Sequence, residues 1–493
     1  MFENPPNAYS RIRGHGSSER AFFEEDTDND NDIELVVKDD GIGVGNLDKK
    51  QGNNGFHYPG EDSYSNSKHH DLEGIEMERI DEDCKVEPSK TSTKDPLDIN
   101  DVYHGGCCAY LCRSSKAIFL GSRLNILMIF TPFAFFSYNY GWPGEGATFL
   151  FSLLAIAPFA ERLGFVTEQL ASYTNDTLGG LLNASFGNAT EMIVSLFALL
   201  KGRPNGSEHP EVYRRLVQVS LLGSVLSNLL LVLGSALMVG GRRYQVQTYT
   251  KVGTTTSMAL LFLAAVSFLL PAVLENTEGM DKNMTQPILD MSRFVSVVLL
   301  ALYGFFLYFQ LITHRHLYEE EDDDDDEEDN VLGFWGSIFW VGVLTVFISF
   351  LSEYMVDAIE GTVKRWGVSE LFIGAIIIPI VGNAAEHASA LIFAYRNKLD
   401  ITLGVAVGSA VQISIMALPF CVLLGWAIGC PLDLTFSIFE VLSFTLAVMV
   451  TAVSLQDGKA HWMIGTTLVF AYVIIAAGFW VQKSDLTSVL PNH

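Results

Sequence analysis

Two short motifs carry the residues whose types and spacing best suit chemistry. Phe186-Gly187-Asn188-Ala189-Thr190-Glu191 and Val381-Gly382-Asn383-Ala384-Ala385-Glu386 share the pattern G-N-A-x-E and stand 195 residues apart. Both lie inside long apolar stretches, where an ionisable side chain costs about 3 kcal/mol or more and marks function by default. Glu191 and Glu386 are therefore the central candidates. On a helix, Asn188 and Glu191 share a face, as do Asn383, Glu386 and His387 at i, i+3 and i+4. Gly187 and Gly382, with Pro379 just before the latter, can interrupt the helices and leave backbone carbonyl oxygens free.

Each motif is followed by a basic break and then an apolar stretch bearing Gly-Ser. These pairs, Gly223-Ser224 and Gly408-Ser409, are 185 residues apart; a longer loop near Pro204 to Tyr213 accounts for the difference. Ser224, Ser227 and Asn228 follow in the first copy, Ser409 and Gln412 in the second. All are oxygen donors. Two carboxylates neutralise a divalent cation, and amide, hydroxyl and carbonyl oxygens can complete the roughly six to eight ligands calcium takes. No thiolate joins them, which argues against a soft metal. For Ser224, Ser227 and Ser409, helix packing is the competing reading. For the glutamates it is pairing with a buried base, yet no lysine or arginine lies mid-way along any apolar stretch. Glu161, Glu168, Glu353, Asp357 and Glu360 read as helix-end or vestibule residues. The sequon matches at Asn183 and Asn188 lie in apolar helix and are dismissed.

The elements that must position these residues are membrane helices. After residue 115 the chain becomes a series of eleven apolar stretches: about 118–138, 146–165, 179–200, 216–240, 254–275, 292–313, 332–354, 368–395, 401–428, 433–454 and 462–481. Each is of membrane-spanning order. The expected fold is an all-α integral membrane protein with about eleven transmembrane helices, one plus two five-helix inverted repeats joined by an acidic segment. The inversion follows from parity: the motifs fall in the third and eighth stretches, an odd offset, so the second copy enters the membrane upside down. The boundaries read as an acidic N-terminal region at 1–115, a first transmembrane helix at 116–140 and a first repeat at 141–313. An acidic cytosolic linker or helix follows at 314–331, then a second repeat at 332–482 and a tail at 483–493.

The net charge is concentrated in the appendages. The net charge is -26, but residues 1–100 hold 24 acidic and 11 basic side chains, and Glu319 to Asp329 are eleven consecutive acids. The remaining chain is close to neutral. The N-terminal region cannot bury enough apolar surface to offset its ordering entropy and is expected to be largely disordered. It has no signal-peptide core. The six cysteines form no disulfide or zinc pattern; Cys107, Cys108 and Cys112 stand next to the first apolar stretch, where thiols can be S-acylated. The distribution of Lys and Arg weakly favours a cytosolic N-terminus. The acidic run reads either as a sensor of cytosolic calcium or as a solvated linker.

The segments GNATEMIVSLFALLKG, LLGSVLSNLLLVLG, PIVGNAAEHASAL and VAVGSAVQISI resemble the paired signature regions of the calcium/proton (cation/proton) exchangers, vacuolar type, of the cation/calcium antiporter superfamily. The similarity covers about residues 120–482. It implies an antiporter loading calcium into an acidic compartment, most often the vacuole; whether manganese or other divalent cations also travel stays open, since the same oxygens accept them. Glu191 and Glu386 would be the cation- and proton-binding carboxylates. Asn188, Asn383, Ser224, Ser409 and Gln412 would line the path, and His387 would be the family's histidine. The long acidic N-terminus and the loop near Pro204 depart from that pattern.

Calcium and protons would then compete for the same carboxylates while one repeat rocks against the other. His387, opposite Met192 in the first copy, either relays a further proton or makes a structural hydrogen bond. A sodium-coupled exchanger of the same fold is the alternative; a cation channel fits the inverted pair less well. No nucleophile triad or zinc-protease helix is present, so no enzyme is expected, nor any cofactor or nucleic-acid partner. The expected partners are the transported ions and membrane lipid.

Overall fold

The computed structural model describes residues 106–174, 176–275, 285–315 and 331–482. The acidic N-terminal region, apart from its last ten residues, and the acidic run lie outside them. The described chain is almost wholly helical. Helix α1 (Gly106–Leu120) is followed by a 3-10 turn (Arg123–Ile129) that runs into α2 (Phe130–Tyr140). The apolar stretch 118–138 is thus not one straight helix: its two parts meet at 90°. Gly121 and Ser122 make the bend. A Cβ on Gly121 would lie 2.3 Å from the Ala117 carbonyl oxygen, and the Ser122 hydroxyl accepts from the Leu124 amide to start the next segment.

The first half continues with α3 (Glu145–Ala171), α4 (Asp176–Phe186), α5 (Ala189–Lys201) and α6 (Pro210–Leu226). A π-helical turn (Ser227–Val232) leads into α7 (Leu233–Gly241), followed by α8 (Lys251–Glu275) and α9 (Thr285–Tyr308). The second half holds α10 (Phe334–Asp357), α11 (Ile359–Trp366) and a helix assembled from α12 (Glu370–Phe372), a π turn (Ile373–Ile377) and α13 (Ile378–Gly382). Then come α14 (Ala384–Tyr395), α15 (Leu399–Gln412), a π turn (Ile413–Ala417), α16 (Leu418–Ile428), α17 (Ile438–Ser454) and α18 (Trp462–Val481). Among the described residues seven helices are long and apolar enough to cross a membrane, or nine if each of two bent pairs is one span. Apolar side chains such as Phe294, Phe305, Phe470, Ile474 and Trp480 are exposed on the outside, as expected of a chain whose solvent is lipid.

The two motif stretches, 179–200 and 368–395, are each broken where the motif stands. Helix α4 stops at Phe186 and α5 starts at Ala189; α13 stops at Gly382 and α14 starts at Ala384. Helices α6 and α15, which carry the Gly-Ser pairs, each run into a π turn shortly after the serine. Such turns displace one backbone hydrogen bond and recur at functional sites.

Helices α3 and α10 pack along one another across the two halves. Helices α5 and α10 end, and α3 and α6 begin, at one end of the bundle, where Lys201 and Asp357 form an ion pair at 2.8 Å. At the opposite end a two-residue ribbon ties the loops: Gln247-Thr248 pairs antiparallel with Lys459-Ala460. There the Gln247 side-chain amide also donates to the Ala394 carbonyl and to Asn397 Oδ1, both at 2.9 Å.

One expectation about charge changes. Helix α3 extends to Ala171, so Arg162 lies well inside it and is buried, although no base was expected mid-way along an apolar stretch. Its guanidinium bonds the adjacent Glu161. Arg215, in the second turn of α6, pairs with fully buried Glu440 and donates to Gln218. The bases are present, but the partners they make are these and not the motif glutamates.

Candidate ion site

Asn188 and Asn383 hold the two helix breaks. Both have non-helical backbone angles, φ -109°, ψ 22° and φ -85°, ψ 19°, and both precede the first residue of the next helix. An asparagine there would ordinarily cap its own helix. Neither does. Each side chain is 1% exposed and reaches into the other half of the chain. Asn188 Nδ2 donates to Gln412 Oε1 at 2.7 Å, and Ser409 Oγ donates to Asn188 Oδ1 at 3.3 Å. Reciprocally, Ser224 Oγ donates to Asn383 Oδ1 at 2.8 Å, and Asn383 Nδ2 donates to the Ser224 carbonyl at 3.1 Å. Asn228 Nδ2 donates to Ser409 Oγ at 2.9 Å. The motif of each half is therefore clasped by the serine-bearing helix of the other.

Glu191 and Glu386 occupy the first turns of α5 and α14, whose N-termini begin inside the bundle. Helix N-termini favour negative charge, which lowers the cost of holding carboxylates there. Both glutamates are half-buried. The two motifs approach each other: a Cβ on Gly382, four residues before Glu386, would lie 3.9 Å from Glu191 Oε1. Glu386 Oε2 is buried without a hydrogen-bond partner, and so is Asn228 Oδ1. Glu191 lines a cleft with Thr190, Ser220, Ser224, Pro379 and Gly382.

The donor set has a definite character. Among the described residues no group of three or more His, Cys, Asp and Glu side chains could hold a metal. Two carboxylates stand among amides, hydroxyls and the backbone oxygens of broken helices. A hard cation suits that set; a thiolate- or imidazole-preferring metal does not.

His387 turns to the first half. Its Nε2 is 2.7 Å from Ser235 Oγ, and that hydroxyl also donates to the Val232 carbonyl at 3.0 Å. Sequence reasoning missed Ser235, because nothing along the chain links a serine on α7 to a histidine 152 residues later. It also missed Thr190 and Ser220, which look like ordinary helical residues until the cleft is seen. Ser227, buried on the π turn, and Gln412 follow Ser224 and Ser409 at the same interval; only Gln412 reaches a motif asparagine through a hydrogen bond seen here.

A site built from two matching motifs, on broken helices in a membrane-helical bundle, defines a class of ion-translocating protein. The sodium/calcium exchanger protein family matches residues 145–312 and 336–481, and the chain belongs to that family. Within it, the chain is 44% identical over 386 residues to vacuolar cation/proton exchanger 3 of Oryza sativa subsp. japonica, covering 76% of this chain and 90% of that protein. It is 43% identical over 381 residues to vacuolar cation/proton exchanger 5 of Arabidopsis thaliana, covering 75% and 84% respectively. The solved structure of native YfkE is similar over 73% of this chain and 100% of that one, at 33% identity and a TM-score of 0.61. A selenium-substituted structure described as the Ca2+/H+ antiporter protein YfkE is similar over 73% and 99%, at 32% identity and a TM-score of 0.59.

Proposed function

We propose that this chain is a secondary antiporter that exchanges calcium for protons and loads calcium into an acidic compartment. The observation that carries the reading is the reciprocal clasp that brings Glu191 and Glu386 together. The proposed ion ligands are Glu191, Glu386, Asn188, Asn383, Ser224, Ser409 and Gln412, with Glu191, Glu386 and His387 coupling protons. Manganese and other hard divalent cations fit the same oxygens. The names borne by the relatives support the proton coupling, and those relatives being vacuolar supports a vacuolar or other acidic-organelle membrane.

Each glutamate is either ionised and bound to calcium or protonated and neutral, because an empty charged carboxylate inside the bundle is costly. Binding calcium then displaces protons, and protonation releases calcium. The two matched stretches of the same family support a pair of repeats, 141–313 and 332–482, which the odd helix offset of the motifs would make inverted, preceded by the helical segment 116–140. With the N-terminus cytosolic, the ribbon end and the acidic segment at 314–331 face the cytosol and the Lys201 end faces the lumen.

Reconstitution in proteoliposomes tests the reading. An imposed pH gradient should drive calcium uptake, with equal uptake whether or not sodium is present. Uptake that requires a sodium gradient and ignores pH would establish the sodium-coupled alternative instead.

A further inference from the structure

The cleft beside Glu191 leads toward the Lys201 end. Its walls include Leu153, Val194, Leu221 and Met355. Following each wall helix about two turns or less outward reaches Glu145 on α3, Lys201 on α5, Tyr213 on α6 and Asp357 at the end of α10. These four gather at one mouth. Lys201 Nζ lies 2.8 Å from Asp357 Oδ1, and Tyr138 Oη donates to Asp357 Oδ2 at 2.9 Å. Tyr213 lies near Glu360, Asp357 and Glu145. The Glu145 carboxylate is packed against Gly361.

Neighbouring bases are engaged elsewhere. Arg203 donates to the Leu200 carbonyl, Arg214 to the Gly202 carbonyl, and Arg365 to the Pro143 carbonyl. Lys201 alone among these places its charge on a mouth carboxylate. It is also the last residue of the helix whose first turn carries Glu191, so the pair joins the motif helix of one half to α10 of the other.

We propose that Lys201 is a specificity-determining residue at this mouth: its tethered ammonium occupies Asp357 between passages and must be displaced by the transported cation. A divalent ion carries twice the charge of the ammonium and competes well for the carboxylate; a monovalent ion does not. At the opposite end, the residue at the 195-residue spacing from Lys201 is Arg396, and Asp357 at that spacing corresponds to Arg162. The carboxylate partner is missing from the second arrangement, so the filter acts at one face.

The proposal rests on the antiport reading, and sided transport assays separate the two. In the unaltered chain, calcium exchange is measured with calcium presented at either face of oriented vesicles. If that chain exchanges no calcium for protons, the antiport reading fails. If it does, Lys201→Gln should lower the calcium KM about threefold at the Lys201 face only, an effect of the size expected for one screened charge near a divalent ion. Inhibition by potassium or sodium at that face should rise in parallel, and both changes should shrink at high ionic strength. Lys201→Arg should behave as the unaltered chain, and Asp357→Asn should raise the KM at the same face. A KM unchanged in Lys201→Gln, or changed equally at both faces, would overturn the filter, since a structural role has no sidedness.

Discussion

The two motif regions share a five-residue pattern but not their surroundings. Glu191 lines a cleft that leads to the Lys201 end; Glu386 keeps one oxygen buried and unpartnered. Asn383 is held twice by a single residue, Ser224, whereas Asn188 is held by Gln412 and Ser409, the latter itself held by Asn228. Gly223 presses on the second half, where an added Cβ would lie 2.2 Å from the Ala375 carbonyl oxygen; Gly408 has nothing within 4 Å. One region is tightly packed around a backbone contact and the other is joined by side chains with room beside it. Two halves with matching motifs need not be in matching states, and an alternating-access cycle requires that they differ.

The comparison breaks most severely if either carboxylate is dispensable. Glu191→Gln and Glu386→Gln should each reduce calcium/proton exchange at least a hundredfold in proteoliposomes, because a neutral amide neither balances a divalent charge nor releases a proton. Full exchange by either variant would mean that the pair does not act together.

Packing sharpens it next. Gly223→Ala places a methyl against backbone that cannot retreat, and overpacking of this kind costs about 1–3 kcal/mol. It should lower the midpoint of thermal unfolding in detergent and cut exchange at least tenfold. Gly408→Ala, with open space, should leave the midpoint unchanged. Equal effects would erase the packing difference between the halves.

The asparagines give a smaller contrast. Membrane side-chain hydrogen bonds contribute about 0.6–2 kcal/mol each, so Asn188→Ala and Asn383→Ala should cost only modest stability. Their calcium KM values should nevertheless rise about tenfold, as ligands are lost. Ser235→Ala, which frees His387, should have the least effect on calcium KM, about twofold or less. A larger shift than that of Asn188→Ala would place Ser235 at the ion instead.

Much of this site was legible in one dimension because its chemistry is expensive. A glutamate in an apolar stretch has few innocent explanations, and Glu191 and Glu386 stood out on that ground before any contact was known. The expectation of a repeat came from Gly-Asn-Ala and Gly-Ser recurring in order. The helix breaks followed from Gly187, Gly382 and Pro379. What stayed hidden depends on distance across the fold. Lys201 and Asp357 read as ordinary helix-end charges, and Ser235 as a helical serine, since their partners lie more than 150 residues away. Arg162 falls at the end of the apolar stretch 146–165, because the apolar run fades after Phe165; the helix itself continues through Thr167 and Gln169, which are buried. Hydropathy marks where lipid could touch a helix, not where the helix stops.

Competition between calcium and protons for the same two carboxylates is the central claim, and calcium binding by the purified protein across pH tests it most directly. Calcium should bind more weakly as pH falls, and binding in weakly buffered solution should release protons. In Glu191→Gln and Glu386→Gln that release should fall. Calcium affinity independent of pH, with no protons released, would contradict the account.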